Sequence, residues 1–128
     1  MLRINCVPPA ELPNEQLIKE YAAIPRVLHA VRKVVESGKT PEKADIPSVY
    51  TLGPDHLKFF YPRLRYVRDR QVSIFEELKK RNLDGGRVAP KPKRTLRGIP
   101  KEWCGDWVPD DYAQAINRAR MGSSRAEK

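Results

Sequence analysis

Apolar residues recur every three or four positions in three stretches of the chain, the period of a helix that buries one face. In the first stretch these are Leu17, Ile18, Tyr21, Ile24, Leu28, Val31 and Val35, with Asn14 after Pro13 as a cap and Ser37-Gly38 as a stop. Pro25 lies inside this helix and predicts a kink near Ile24, because it removes a backbone donor. The second stripe is the clearest: Leu57, Phe60, Tyr61, Leu64, Val67, Gln71, Ile74, Phe75 and Leu78, with Asp55 as its cap and Asn82, Gly85 and Gly86 at its end. Pro62 predicts a bend near Lys58 and Phe59. A third helix follows Pro109, with Tyr112, Ala113, Ile116 and Ala119 facing inward and Arg118 and Arg120 at its basic end. Residues 39–53, with Pro41, Pro47 and Gly53, read as an ordered loop held by Ile46, Val49 and Tyr50.

No segment alternates in the manner of a strand, so the expected fold is all-α: a compact three-helix domain with kinked helices and long ordered loops. Its expected core is Leu17, Tyr21, Leu28, Val31, Phe60, Leu64, Val67, Ile74, Phe75 and Ile116. Residues 1–121 are expected to form the domain, and residues 122–128 a disordered tail. A chain of 128 residues supports one core and not two.

Charge adds a partner to this picture. Twenty-five basic residues against sixteen acidic ones leave a net charge of +9, which suits a polyanionic or phosphate-bearing partner better than a membrane interior. The longest apolar runs are a few residues, and Met1-Leu2-Arg3-Ile4-Asn5 is no signal-peptide core, so a cytosolic location is expected. Residues 79–97 hold eight basic residues and one acidic one among glycines and prolines, which predicts a mobile basic loop. Cys6 and Cys104 have no second Cys or His pair at metal spacing, so free thiols are expected and no metal or other cofactor is assigned.

Several short segments, taken in order, carry a resemblance. They are Arg3-Ile4-Asn5, Glu11-Leu12, Glu20-Tyr21, Pro25-Arg26-Val27 and Ala30-Val31-Arg32-Lys33, then Leu52-Gly53, His56, Phe59-Phe60-Tyr61, Arg68 and Arg70-Gln71, and last Ile99-Pro100, Gly105-Asp106, Pro109 and Ala119-Arg120. Together they resemble the pyrimidine-dimer DNA glycosylase and abasic-site lyase family, of the phage endonuclease V type, along nearly the whole chain. The resemblance implies that family's all-α fold. It also implies a chemistry in which the α-amine of a threonine, exposed by loss of the initiator methionine, attacks a sugar C1′, while a glutamate stabilises the resulting imine.

Leu2 and Ala23 stand at those two positions. Leu2 is expected to keep Met1 attached and displace the amine by one residue, roughly 3.5 Å, which near-attack geometry does not tolerate. Ala23 has no group that titrates. No catalytic residue is therefore assigned. The resemblance implies that Arg3, Arg26, Lys33 and Arg120 meet phosphates or the cleft, which Leu2, Tyr21, Ala22, Ala23 and His29 would line. Ala22 replaces an arginine and Gln16 a histidine of active relatives, and their aromatic-rich C-terminal tail has no counterpart after Lys128.

Each site residue has a plainer reading beside the functional one. Arg3 or Arg26 could pair structurally with Glu20 or another acid, His29 could be ordinary surface, and Tyr21 could pack in the core or stack on a base. Trp103 and Trp107 could pack on the main helices or line a base pocket, and Arg63, Arg65, Arg68 and Arg70 read as a solvated face in which Asp69 pairs with Arg65. Three functions follow. The leading expectation is a non-catalytic binder of a phosphorylated nucleotide, by analogy with small basic phage proteins that sequester nucleotide immune signals in the host cytosol. The second is a non-catalytic binder of damaged or modified DNA. The third is an active glycosylase or lyase that uses the Met1 amine or a lysine. A homodimer that encloses its ligand fits the first, whereas the resemblance implies monomers.

Overall fold

The periodic stretches become the long helices of the computed structural model, which describes residues 3–126, with side chains through Met121. In chain order the helices are α1 (Asn14–Glu36), α2 (His56–Phe59), α3 (Leu64–Lys80), α4 (Pro92–Thr95) and α5 (Asp111–Ala126). Single 3-10 turns lie at Pro9–Glu11, Pro41–Lys43 and Lys101–Trp103. The named elements among the described residues are all helical, and one isolated antiparallel bridge joins Arg63 to Cys104.

Helix α1 runs unbroken through Pro25, whose ring sits on the exposed face, so the expected kink does not divide the helix. Pro13 occupies the N-cap position and Asn14 the first helical one. The Asn14 side chain caps nothing and instead accepts a hydrogen bond from Arg81. At the other end Gly38 takes a left-handed conformation, φ 83°, and its N–H reaches the Val35 carbonyl.

The second stripe is not one bent helix. Proline disfavours helical geometry in the residue before it and removes the donor of its own turn. Pro62 thus ends α2 outright, and residues 60–63 form a turn before α3 begins at Leu64. The freed carbonyl of Pro62 accepts from the Gly105 N–H at 2.9 Å, and the Arg65 N–H donates to the Gly105 carbonyl at 3.0 Å. A Cβ on Gly105 would lie 2.6 Å from the Pro62 oxygen, so this approach admits only glycine. Gly105→Ala is expected to lower stability by on the order of 1–3 kcal/mol through forced backbone displacement, read as an earlier midpoint in urea. Helix α3 closes at Asn82 (φ 60°) in a Schellman turn, with the Leu83 N–H on the Leu78 carbonyl at 2.7 Å.

Helix α5 is capped by Asp110, whose Oδ1 accepts from the Ala113 N–H at 2.8 Å. It buries Ala113, Asn117 and Met121, with Ile116 half-buried, while Tyr112 and Ala119 face outward, contrary to expectation. Two alanines and one isoleucine define a face too weakly to fix it, and a buried asparagine sets the rotation instead. The helix continues to Ala126, so the expected disordered tail is helical as far as residue 126, and residues 127–128 lie outside the described residues.

Helices α1 and α3 pack against each other, and Leu17, Val31, Phe60, Leu64, Val67, Ile74 and Phe75 are buried as expected. Tyr21, Leu28 and Ile116 lie half-buried at the edge of this core. The basic stretch 79–97 is tied down at two points. Arg81 donates to the carbonyls of Pro9, Ala10 and Leu12 and pairs with Glu77, and Arg32 of α1 donates to the carbonyls of Thr95 and Arg97, both at 3.0 Å.

Candidate phosphate-binding site

The extended segment 3–7 passes through the middle of the domain, with Ile4, Asn5, Cys6 and Val7 all buried. No strand among the described residues accompanies it, so its buried backbone groups need partners from side chains. The Ile4 N–H donates to His56 Nε2 at 2.9 Å, and the Asn5 carbonyl accepts from the Tyr66 hydroxyl at 3.0 Å. The Cys6 N–H donates to Asn117 Oδ1 and the Val7 carbonyl accepts from Arg70 Nη1, each at 2.6 Å. The Asn5 amide joins these helices, donating to Glu20 Oε1 and accepting from Asn117, each at 2.7 Å. Glu20 also takes a forked pair from Arg70, Nε at 2.7 Å and Nη2 at 3.1 Å. Burial pulls the Arg70 guanidinium down, but the adjoining Glu20 carboxylate more than offsets it.

This clamp fixes where Arg3 leaves the core. Burial, and next the like charge of Arg120 on α5, hold the half-buried Arg3 guanidinium below its ordinary value, and Tyr50 lies within range of its charge. No carboxylate among the described residues pairs with Arg3 or Arg120. A half-buried arginine whose charge is opposed by a second arginine, with no carboxylate paired to it, is a locus that an anion would relieve.

A cavity of about 450 Å³ opens between α1 and α2, lined by Arg26, Gly53, Pro54, His56, Leu57, Lys58 and Tyr61. His56 forms its wall: Nε2 accepts from Ile4 while Nδ1 donates to the Thr51 carbonyl at 2.7 Å, a pairing that only the neutral ring satisfies. Burial pushes this imidazole below its ordinary value, and the Arg3 charge adds to the effect. Behind it Tyr50 meets the rings of His56, Phe59 and Phe60 edge-on and stacks on Trp107, with centroids 5.7 Å apart. Burial pushes the Cys6 thiol, close to the Tyr50 hydroxyl, up to about 11, so it is a poor nucleophile.

A depressed folded-state value makes His56 a pH-dependent support. The neutral ring contributes fully above pH 6.5, the value of an unburied imidazole, and the contribution is lost as the pH falls through the lower folded value. Melting temperature is therefore expected to fall between pH 7.5 and pH 5. His56→Gln should be less stable at pH 7.5 and should lose part of that slope. An unchanged slope would show that His56 does not titrate with folding.

The other residues expected at the site are dispersed. Ala23 is wholly buried on the core face of α1, so it presents nothing to a ligand. Tyr21 packs against Phe75, with centroids 6.0 Å apart, while Ala22, Arg26, His29 and Lys33 line one exposed stripe of α1. Leu2 lies outside the described residues. Glu20 holds Arg70, and neither it nor another acid among the described residues forms an ion pair with Arg3 or Arg26, against the plainer reading of those two arginines. Arg70 is correspondingly no member of a solvated face, and Arg63 sits over the Phe59 ring with its guanidinium 3.9 Å from the centroid. Asp69 pairs with Arg68 and not Arg65, at 3.0 Å. Trp103 is buried, Trp107 packs among the aromatic rings, and Cys6 and Cys104 are both free.

Lys58 and Tyr61 carry no site role in the sequence reading, which absorbed them into a continuous helix. Pro62 was the available signal, since a helix that stops there frees both side chains to face a cavity. Among the described residues no three Cys, His, Asp or Glu side chains gather as a metal site, and no helix is long and apolar enough to cross a membrane. No family model matches the chain.

Proposed function

We propose that the protein binds a phosphorylated nucleotide without cutting it, on a scaffold of the pyrimidine-dimer DNA glycosylase type. The observation that carries this reading is the cavity lined by Arg26, Lys58 and Tyr61, and the half-buried Arg3, which no carboxylate pairs among the described residues, lies within charge range of its His56 wall. Guanidinium groups offer forked donors to phosphate oxygens, and a half-buried ring offers a surface to a base. Imine chemistry of the family's kind lacks support: Ala23 replaces its glutamate and is sealed in the core. Calorimetry with nucleotides, set beside duplex affinity at several salt concentrations, tests the reading. Nucleotide binding with no borohydride-trapped adduct to abasic-site DNA is expected, and a covalent adduct would overturn the non-catalytic assignment.

One observation favours DNA as the second reading. The Arg32 contacts tie the segment that carries the exposed Lys93, Arg94 and Arg97 to α1, which itself carries the exposed Lys33. A steep salt dependence for duplex DNA, without nucleotide binding, would select it. Sequestration of a nucleotide signal, a phage origin, a cytosolic site of action and a ligand-enclosing homodimer belong to the first reading as its biological setting.

A further inference from the structure

Four side chains in the wall of the cavity carry hydrogen-bonding groups: Arg26 from α1, His56 and Lys58 from α2, and Tyr61 from the turn that follows. His56 is already spent, because Nε2 accepts from the Ile4 N–H and Nδ1 donates to the Thr51 carbonyl. The side chains of Arg26, Lys58 and Tyr61 form no hydrogen bond or ion pair among the described residues, although Arg68, Arg70, Arg81 and Arg118 all pair with acids. The rest of the wall adds no further side-chain donor or acceptor. Leu57 is apolar, Pro54 has no N–H, and the Gly53 N–H donates to Thr51 Oγ1. The carbonyls of Gly53, Leu57 and Lys58 already accept from the N–H groups of His56, Phe60 and Tyr61.

We propose that the cavity takes a single nucleotide by its phosphate and does not discriminate among the bases. Arg26 and Lys58 meet the phosphate, and the base lies against the Tyr61 ring with Leu57 and Pro54 beside it. This rests on the nucleotide-binding reading and narrows it to one class of ligand. Strong discrimination between bases needs polar groups aimed at the base edge, which a wrong base would leave unpaired. The wall holds no such set once its two cations are engaged. Stacking on an aromatic ring supplies affinity without that selectivity, because every base has a π-face. Two cations with no carboxylate in the wall match one phosphate dianion, and a volume of about 450 Å³ suits one nucleoside monophosphate.

The test is calorimetry at fixed ionic strength with the 5′-monophosphates of adenosine, guanosine, cytidine and uridine, set beside adenosine and ribose 5-phosphate. The four nucleotides are expected to bind within ~3-fold of one another, and ribose 5-phosphate ~10-fold more weakly for want of a base to stack. Adenosine should bind at least ~30-fold more weakly than its monophosphate. Arg26→Gln and Lys58→Gln should each weaken all four nucleotides alike, by ~10- to 100-fold, and Tyr61→Leu should bring them to the level of ribose 5-phosphate. Circular dichroism melts establish that the variants fold. A preference above ~10-fold for one base, a loss in either cation variant confined to one nucleotide, or adenosine as tight as its monophosphate overturns the inference while nucleotide binding stands. Ribose 5-phosphate as tight as the nucleotides, or no binding by any of them, would bring down the nucleotide-binding reading as well.

Discussion

Arg70→Ala is expected to destabilise the protein by about 3–5 kcal/mol, a large share of the stability of a domain this size. Removing the guanidinium leaves the Glu20 carboxylate, wholly buried, with one remaining donor on Asn5, and it also orphans the buried Val7 carbonyl. Each loss costs more than the net worth of the contact, because water cannot reach the group left behind. The double replacement Glu20→Gln with Arg70→Met removes the charge that makes the single change costly, so it should recover part of the loss. Urea denaturation of both variants measures this, and a double variant no better than Arg70→Ala would show that the pair acts by shape and not by charge compensation.

Arg3→Ala should do the opposite. Its guanidinium is partly desolvated, opposed by Arg120 and paired with no acid, so its removal is expected to leave the melting temperature unchanged or slightly raised. Affinity for the phosphorylated nucleotide should fall about 30- to 100-fold, the value of losing roughly 2–3 kcal/mol of charge-assisted hydrogen bonding. Arg3→Lys should recover only part of it, since an ammonium keeps the charge and loses the fork. A substantial loss of stability in Arg3→Ala would place the residue with Arg70 in the scaffold and remove it from the site.

These two arginines stand 67 positions apart in the sequence, and no local pattern there marks Arg70 as the scaffold residue. The sequence reading put Arg70 on a solvated face, and its burial against Glu20 follows from a contact across 50 residues that no local pattern encodes. Arg81 is a similar case: it reads as one more charge in a basic loop, yet it pins the segment before α1 through three backbone carbonyls. The long range of each contact, and not any lack of residue signal, hid it.

Local chemistry determined a good deal without help. Apolar periodicity fixed α1 from Asn14 to Glu36, the stops at Gly38 and Asn82, and most of the α1–α3 core, because helix faces and left-handed caps depend on neighbours three or four residues away. It also marked Pro62, though not that the helix ends there, since that break relies on Gly105 arriving to pair with the freed carbonyl. Composition gave the cationic character, and the resemblance to the pyrimidine-dimer DNA glycosylases implied Arg3, Arg26, Lys33 and Arg120 as a set. Tertiary structure alone divided that set, bringing Arg3 within range of the Arg120 charge and Arg26 into a cavity with Lys58 while leaving Lys33 on the open stripe of α1. The decisive element is the segment 3–7. It has no helical period to announce it, and its place is set by His56, Tyr66, Arg70 and Asn117, which converge from three helices to satisfy backbone groups that burial would otherwise leave unpaired.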